Sequence, residues 1–194
     1  MAKILGISGS LRKGSFNTML LNQAVRLVPQ GTAFEIGSIR DIPLYDGDVE
    51  VAAGLPPAAQ LLKTQVMDCD GLLLVTPEYN NSIPGVFKNA IDWLTRPPAD
   101  VPRVFGKRPV AVIGASPGGF GTILAQEAWL PVLRTLGTHP WFGGRVMVSR
   151  AGNVFTETGD IKDDAIRAQL EKFMHGFAQF VADNQPRNAG ESAA

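Results

Sequence analysis

The sequence predicts a three-layer α/β sandwich. At its centre is a five-stranded parallel sheet in the order 2-1-3-4-5, with helices on both faces. Three observations predict it. Short apolar runs alternate with segments of helical spacing along nearly the whole chain, giving the order βαβαβαβαβα. Runs such as Gly71-Leu72-Leu73-Leu74-Val75 show no polar alternation, so both of their faces are covered, as in a parallel sheet. And 194 residues with 45% hydrophobic side chains suffice for one sizeable core.

The elements follow in order. Residues 3–8 (KILGIS) form the first strand. Residues 16–28 place Met19, Leu20, Ala24, Leu27 and Val28 at helical spacing. The alternating 33–39 segment is the second strand, and 56–68 is a helix with Pro56 and Pro57 in its first turn. Residues 71–75 are the third strand. Residues 85–96 form a helix stopped by Pro97 and Pro98, with Phe87, Ala90, Ile91 and Leu94 on one stripe and Asp92–Arg96 as an i, i+4 pair. The fourth strand is 108–116. The helix at 122–137 contains Pro131 and ends at Gly137. A fifth strand at 144–149 and a closing helix at 163–183 complete a single domain over 1–183, and the small polar stretch 184–194 is expected to be a frayed tail. Five strands in this alternation suit a flavodoxin-like order, whose ligands bind beyond the carboxyl ends of the strands where strands one and three diverge.

Eighteen basic and eighteen acidic residues balance. Neutrality argues against a nucleic-acid binder, which needs a basic surface, and against an electron carrier that docks by charge. The single cysteine, Cys69, precedes a buried strand and reads as a small core residue, in keeping with a reducing cytoplasm. There is no run of about 18 apolar residues and no signal-peptide core, so the expectation is a cytoplasmic protein that binds no membrane. The two histidines, His139 and His175, show no metal-ligand spacing, so no metal is expected.

Three loops meet at the switch point. The first, SGSLRKGSFN (8–17), combines Ser10, Arg12, Ser15 and Asn17 with a helix start and has no carboxylate. Backbone N–H groups at a helix N-terminus, aided by hydroxyls and a guanidinium, attract an anion. The loop matches neither G-x-G-x-x-G nor a nucleotide loop ending in G-K-[ST], which favours a lone terminal phosphate. The plainer alternative is a helix cap with surface charges. The second, TPEYNNSIP (76–84), is stiffened by Pro77 and Pro84, with Tyr79 as an aromatic face and Asn80 as donor and acceptor. The alternative is an ordinary strand-to-helix turn. The third, SPGGFG (116–121), has adjacent glycines that admit a planar ligand closely.

GSLRKGSFN, IPLYDGD, TPEYNNSIPGVFKNAIDWLTR and IGASPGGFGT together resemble the NADPH-dependent FMN reductase family, and more narrowly its chromate and quinone reductase branch. The resemblance spans roughly 3–150. It implies non-covalent FMN, with Ser10, Arg12, Ser15, Phe16 and Asn17 at the phosphate and ribityl end. Pro77, Glu78, Tyr79 and Asn80 would line the ring, with Ser116, Gly118 and Gly119 opposite. It also implies an NADPH or NADH donor and a small-molecule oxidant: a quinone, chromate, ferric or other metal ions, or an azo compound. Residues 41–48 and 119–121 are expected to tune acceptor choice. Hydride transfer needs no side-chain acid or base, so no catalytic residue is assigned, and Tyr79 is the candidate substrate platform. A ping-pong cycle follows from one shared site.

Two other readings compete. GASPG (114–118) matches the G-x-S-x-G of an acyl hydrolase, but the residue after the serine is Pro117, which has no N–H for an oxyanion hole. A flavodoxin-type carrier would hold FMN but have no nicotinamide site. Finally, residues 85–96 and 122–137 carry more apolar surface than one helix stripe needs, Trp93 and Trp129 included. That surplus, with the short ring-facing loops, predicts a homodimer or homotetramer with the pocket near the contact.

Overall fold

A computed structural model describes residues 1–185. The strands and helices that build the sandwich follow the expected alternation. Strand β1 (Ala2–Ser8) leads to α1 (Phe16–Arg26), β2 (Thr32–Gly37), a short helix α2 (Gly47–Ala53) and α3 (Pro57–Met67). Then come β3 (Gly71–Val75), α4 (Gly85–Leu94), a one-turn helix α5 (Val101–Val104) and β4 (Pro109–Ala115). The chain ends with α6 (Ile123–Thr135), β5 (His139–Pro140), β6 (Met147–Val148) and α7 (Asp164–Asp183).

The sheet is parallel in the order β2-β1-β3-β4-β5, with β6 also on β4. This is the predicted flavodoxin-like topology. Period-two alternation sends neighbouring strand residues to opposite cores. Ile4, Leu73, Val75, Ala111 and Ile113 face α1 and α7. Leu5, Ile7, Leu72, Leu74 and Val110 face α3, α4 and α6. Because the strands run parallel, the ends of β1, β3 and β4 all open on one edge of the sheet.

Four expectations are corrected. The fifth strand is not continuous over 144–149. β5 pairs with the start of β4 (Pro109↔His139) and β6 with its end (Gly114↔Met147), and residues 142–145 form no backbone bond to β4 between Trp141, which donates to Val110 O, and Val146, which accepts from Gly114 N. Trp141 stands where the excursion begins, edge-on to Phe173 at 4.9 Å. Asp92 does not pair with Arg96. Lys88 takes Asp92 at 2.7 Å, and Arg96 reaches Glu50 on α2 at 2.8 Å. Helix α2 had no expected counterpart, although Asp46 caps it through Asp48 N. Lastly, Trp93 and Trp129 are fully buried within the subunit and cannot anchor an interface. The 43–53 segment covers Trp93, whose Nε1 donates to Pro43 O at 2.9 Å.

Other expectations hold. Gly137, at φ +67°, follows the end of α6, with Thr138 N donating back to Leu133 O. Cys69 is buried, and burial pushes its thiol up to about 11. Helix α7 is capped at Asn184, and the rest of the expected tail, 186–194, lies outside the described residues.

Candidate active site

Loop one leaves β1 with Gly9 N bonded to Val75 O and enters α1 through Ser15. The Ser15 hydroxyl accepts from Asn17 N (3.2 Å) and Thr18 N (3.3 Å), a side-chain N-cap. Asn17 is buried and its carboxamide behaves like a strand residue. Its Nδ2 donates to Ala115 O at 2.8 Å, and its Oδ1 accepts from Ala115 N at 2.9 Å. The start of α1 is thereby clipped to the end of β4. Phe16 stacks on Phe155, ring centroids 6.0 Å apart, so its ring is engaged inside the subunit. Ser10 accepts from Arg12 N. The first turn of α1 has no acid, and the exposed Arg12 and Lys13 have no ion pair among the described residues.

Loop two answers why its sequence is so polar. Tyr79 N and Ser82 O, and Ser82 N and Tyr79 O, exchange hydrogen bonds at 3.1 Å. Between them Asn80 and Asn81 sit at φ +50° and +62°. That is a two-residue turn with both central residues left-handed, the conformation asparagine tolerates best after glycine. Asn80 is therefore fixed by backbone geometry, and the turn lifts Tyr79 into solvent at 47% exposure. Pro77 is buried.

Glu78 reaches across to the next loop. Its Oε2 accepts from Leu124 N (2.9 Å) and Ala125 N (3.0 Å), the second and third residues of α6. The residue at the N-cap position, Thr122, forms no cap bond, because its hydroxyl accepts from Gln126 Nε2 at 3.0 Å instead. A side chain some 46 residues away in sequence thus caps this helix.

Loop three runs from Ser116, whose N donates to Val148 O and whose Oγ accepts from Gly118 N at 3.1 Å. Gly118 O accepts from Arg150 N, and Ser116 O from Ala151 N, so the turn after β6 supports this loop from behind. Residues 117–120 are exposed, Phe120 at 86%. A side chain added at Gly119 would meet no protein atom within 4 Å.

The 41–53 segment walls the β2 side. Arg40 Nη2 donates to Leu11 O, supporting loop one. Asn89 on α4 grips the segment twice, accepting from Tyr45 N and donating to Pro43 O, both at 2.8 Å. Tyr45 lies edge-on to Trp93 at 5.0 Å and donates its hydroxyl to Glu50. Arg96, then Tyr45, hydrogen-bond Glu50 and hold its carboxyl below the usual range, while Glu50 raises the Tyr45 phenol. Sequence reasoning missed this latch and the Glu78 cap because both join residues about 46 positions apart.

The geometry excludes a hydrolytic triad of Ser116 with either histidine. His139 pairs at Pro109, the far end of β4, and packs against Phe180. Seven strand residues separate those ends by about 20 Å. His175 lines a cleft with Met1 and Ala2, at the amino end of β1. Among the described residues no group of three or more side chains is placed to hold a metal, and no helix is long and apolar enough to cross a membrane.

Comparison with known proteins matches residues 2–153 to the family described as NADPH-dependent FMN reductase. An NAD(P)H-dependent FMN reductase from Pseudomonas aeruginosa is 44% identical over 179 residues, covering 92% of this chain and 95% of the relative. A 2-hydroxy-1,4-benzoquinone reductase from a Burkholderia species is 37% identical over 183 residues, 94% and 98% of the two chains. The solved structure of FerB, a flavoenzyme NAD(P)H:(acceptor) oxidoreductase from Paracoccus denitrificans, superposes with a TM-score of 0.85 at 31% identity, covering 95% of this chain and all of that one.

Proposed function

The chain belongs to the NADPH-dependent FMN reductase family, and from that premise we propose that it is an FMN-dependent oxidoreductase that carries electrons from NADPH or NADH to quinones. The observation that carries the reading is the pairing of two helix starts on one edge. The α1 start is capped by a neutral hydroxyl, has no acid and stands beside Arg12 and Lys13, while a carboxylate already neutralises the α6 start. A ligand with one phosphate end and one uncharged planar end fits that polarity.

The residues fit the group. Ser10, Arg12 and the backbone of 10–17 hold the phosphate end, on a base that Ser15 and Asn17 fix in place. Tyr79 and Asn80, behind which the buried Pro77 stiffens the loop, would present one wall to the ring, and Ser116, Gly118 and Gly119 the other. Gly119 leaves room there that no protein atom fills. FMN, when bound, supplies a two-electron relay between the nicotinamide and the oxidant. Backbone N–H groups of the two walls would stabilise negative charge on the bound ring. Tyr79, raised by its turn, is the platform on which the planar donor and acceptor rest in turn. One opening for both implies a ping-pong cycle. Glu78 contributes by holding the walls together, and no side chain serves as acid or base.

The decisive experiment is an absorbance spectrum of the purified protein followed by anaerobic NADPH titration and rapid mixing. Flavin bleaching without a second protein supports the reductase. Bound FMN that NADPH does not reduce would leave a flavodoxin-type carrier. Steady-state runs with a small quinone should give parallel double-reciprocal lines, and intersecting lines would reject the shared opening. Chromate, ferric salts and an azo dye, tested in the same assay, define the acceptor range. The proposed setting is the cytoplasm.

The proposed assembly is a homodimer or homotetramer. With Trp93 and Trp129 buried, support moves to the apolar residues left outside: Phe120 (86%), Ile123 (45%), Leu124 (40%), Leu130 (42%) and Phe142 (72%). Ile123, Leu130 and Phe142 line a groove of about 280 Å³ on the flank of α6. Sedimentation should give at least twice the 20.8 kDa chain mass. A monomer that turns over NADPH would reject it.

A further inference from the structure

Glu78 lies inside the longest sequence signature of the site, yet its carboxylate faces a helix, not the opening. Two loops that must wall a planar ligand leave adjacent strands, β3 and β4, and the backbone ladder between those strands ends where the loops begin. Thr76 N bonds Ile113 O at the base. Beyond that point the Glu78 carboxylate joins loop two to the first turn of α6, through Leu124 N and Ala125 N. Loop three runs directly into that turn. Thr122 could have capped the helix locally, but it is fully buried and turned to Gln126. Capping from within α6 would leave loop two without this tie to loop three. Capping from loop two ties both walls to one rigid body.

We propose that Glu78 is a positioning residue: its two hydrogen bonds to the start of α6 fix the spacing of the Tyr79 and Gly118–Gly119 walls, and so the fit of the flavin and of the quinone stacked on it. The inference rests on the flavin reading above. Both bonds go to one oxygen, Oε2. Position therefore depends on the reach of that oxygen and not on the charge behind it.

Two variants separate reach from charge. Glu78→Gln keeps an acceptor oxygen at the same reach and removes the charge. Glu78→Asp keeps the charge and withdraws the oxygen by one methylene. Hydrogen exchange in the cofactor-free protein reads the clamp directly: the Leu124 and Ala125 amides should stay protected in Glu78→Gln and exchange faster in Glu78→Asp. With FMN and a quinone, Glu78→Asp should raise the FMN Kd and the quinone KM about tenfold, the effect of losing one well-made hydrogen bond to a charged group. Its bound flavin should show an altered visible circular dichroism. Glu78→Gln should stay within about threefold of the wild type. The proposal is overturned if Glu78→Gln fails and Glu78→Asp works, which would assign the role to charge. It is equally overturned if exchange quickens while Kd, KM and the flavin spectrum stay unchanged, since the residue would then be only a helix cap. A wild type that binds no FMN would remove the flavin reading, and the exchange data would still decide whether the clamp exists.

Discussion

Helices α1 and α6 begin on the same edge of the sheet, each after a glycine-containing loop, and they treat their first-turn donors in opposite ways. In α1 the cap is local and neutral: Ser15 satisfies Asn17 N and Thr18 N, no acid is present, and Arg12 and Lys13 stand outside. In α6 the cap is remote and anionic, from Glu78. Both helix starts carry the same partial positive charge. In both, the donors of the second and third helical residues are taken; what differs is that the α6 cap brings a negative charge and the α1 cap does not. A helix N-terminus at a switch point is therefore not a phosphate site until its donors have been accounted for.

The largest effect should come from unclipping α1. Asn17→Ala removes both partners of the buried Ala115 peptide, leaving a donor and an acceptor unsatisfied. At ~1–3 kcal/mol for each, the expected loss of stability is about 2–6 kcal/mol in urea unfolding. FMN affinity should fall with it, because the phosphate cradle loses its base. A loss below about 0.5 kcal/mol would mean that β4 and α1 are held together without the clip.

Next, Arg12→Ala tests whether the helix start without an acid is the phosphate end. It should cost about 1.5–3 kcal/mol of FMN binding, one charge-assisted contact. Stability should not change, since Arg12 is exposed and its side chain has no described partner. An unchanged FMN dissociation constant would overturn the assignment and with it the polarity drawn between the two helices.

How much of this was legible beforehand depends on sequence distance. The strand order, both cores and the three converging loops could be read because they rest on local periodicity and on the rule that parallel strands share an edge. The Glu78 cap, the Asn17–Ala115 clip and the Glu50–Arg96 latch could not be read, because each joins residues 46 or more positions apart. The Asn17 carboxamide could not be told from a ligand donor until its partner was seen. Trp93 shows the reverse error. On a helical wheel it lies off the stripe and looks exposed, but a segment from 43–53 covers it. The split fifth strand was hidden because Gly143-Gly144 allows the excursion without any loss of apolar character around it.

Asn81 tests the turn that holds Tyr79 out. Asn81→Ala places an alanine at φ +62° and should cost roughly 1 kcal/mol, while Asn81→Gly should be neutral or stabilising. If alanine is tolerated without loss by thermal unfolding, the turn is not rigid. Tyr79 would then not be a fixed platform facing the wall behind Glu78.

The smallest effect on stability should be at Gly119, and it is informative because stability and function should separate there. At Gly114 the protein itself demands glycine: an added Cβ would lie 2.2 Å from Thr122 Oγ1 and Thr76 O, at the root of the capped helix. At Gly119 no protein atom lies within 4 Å of an added Cβ, and the backbone is not left-handed. Alanine there should raise stability by about 0.4–1 kcal/mol, because it restricts the unfolded chain without meeting anything in the folded one. If the wall at 118–119 faces the flavin, the same methyl occupies the space of the ring, and FMN affinity or quinone KM should worsen while the melting temperature rises. A variant that gains stability and loses nothing in binding would show that the open space beside Gly119 is not the ring's, and that the uncharged end of the ligand lies elsewhere than on the helix Glu78 has closed.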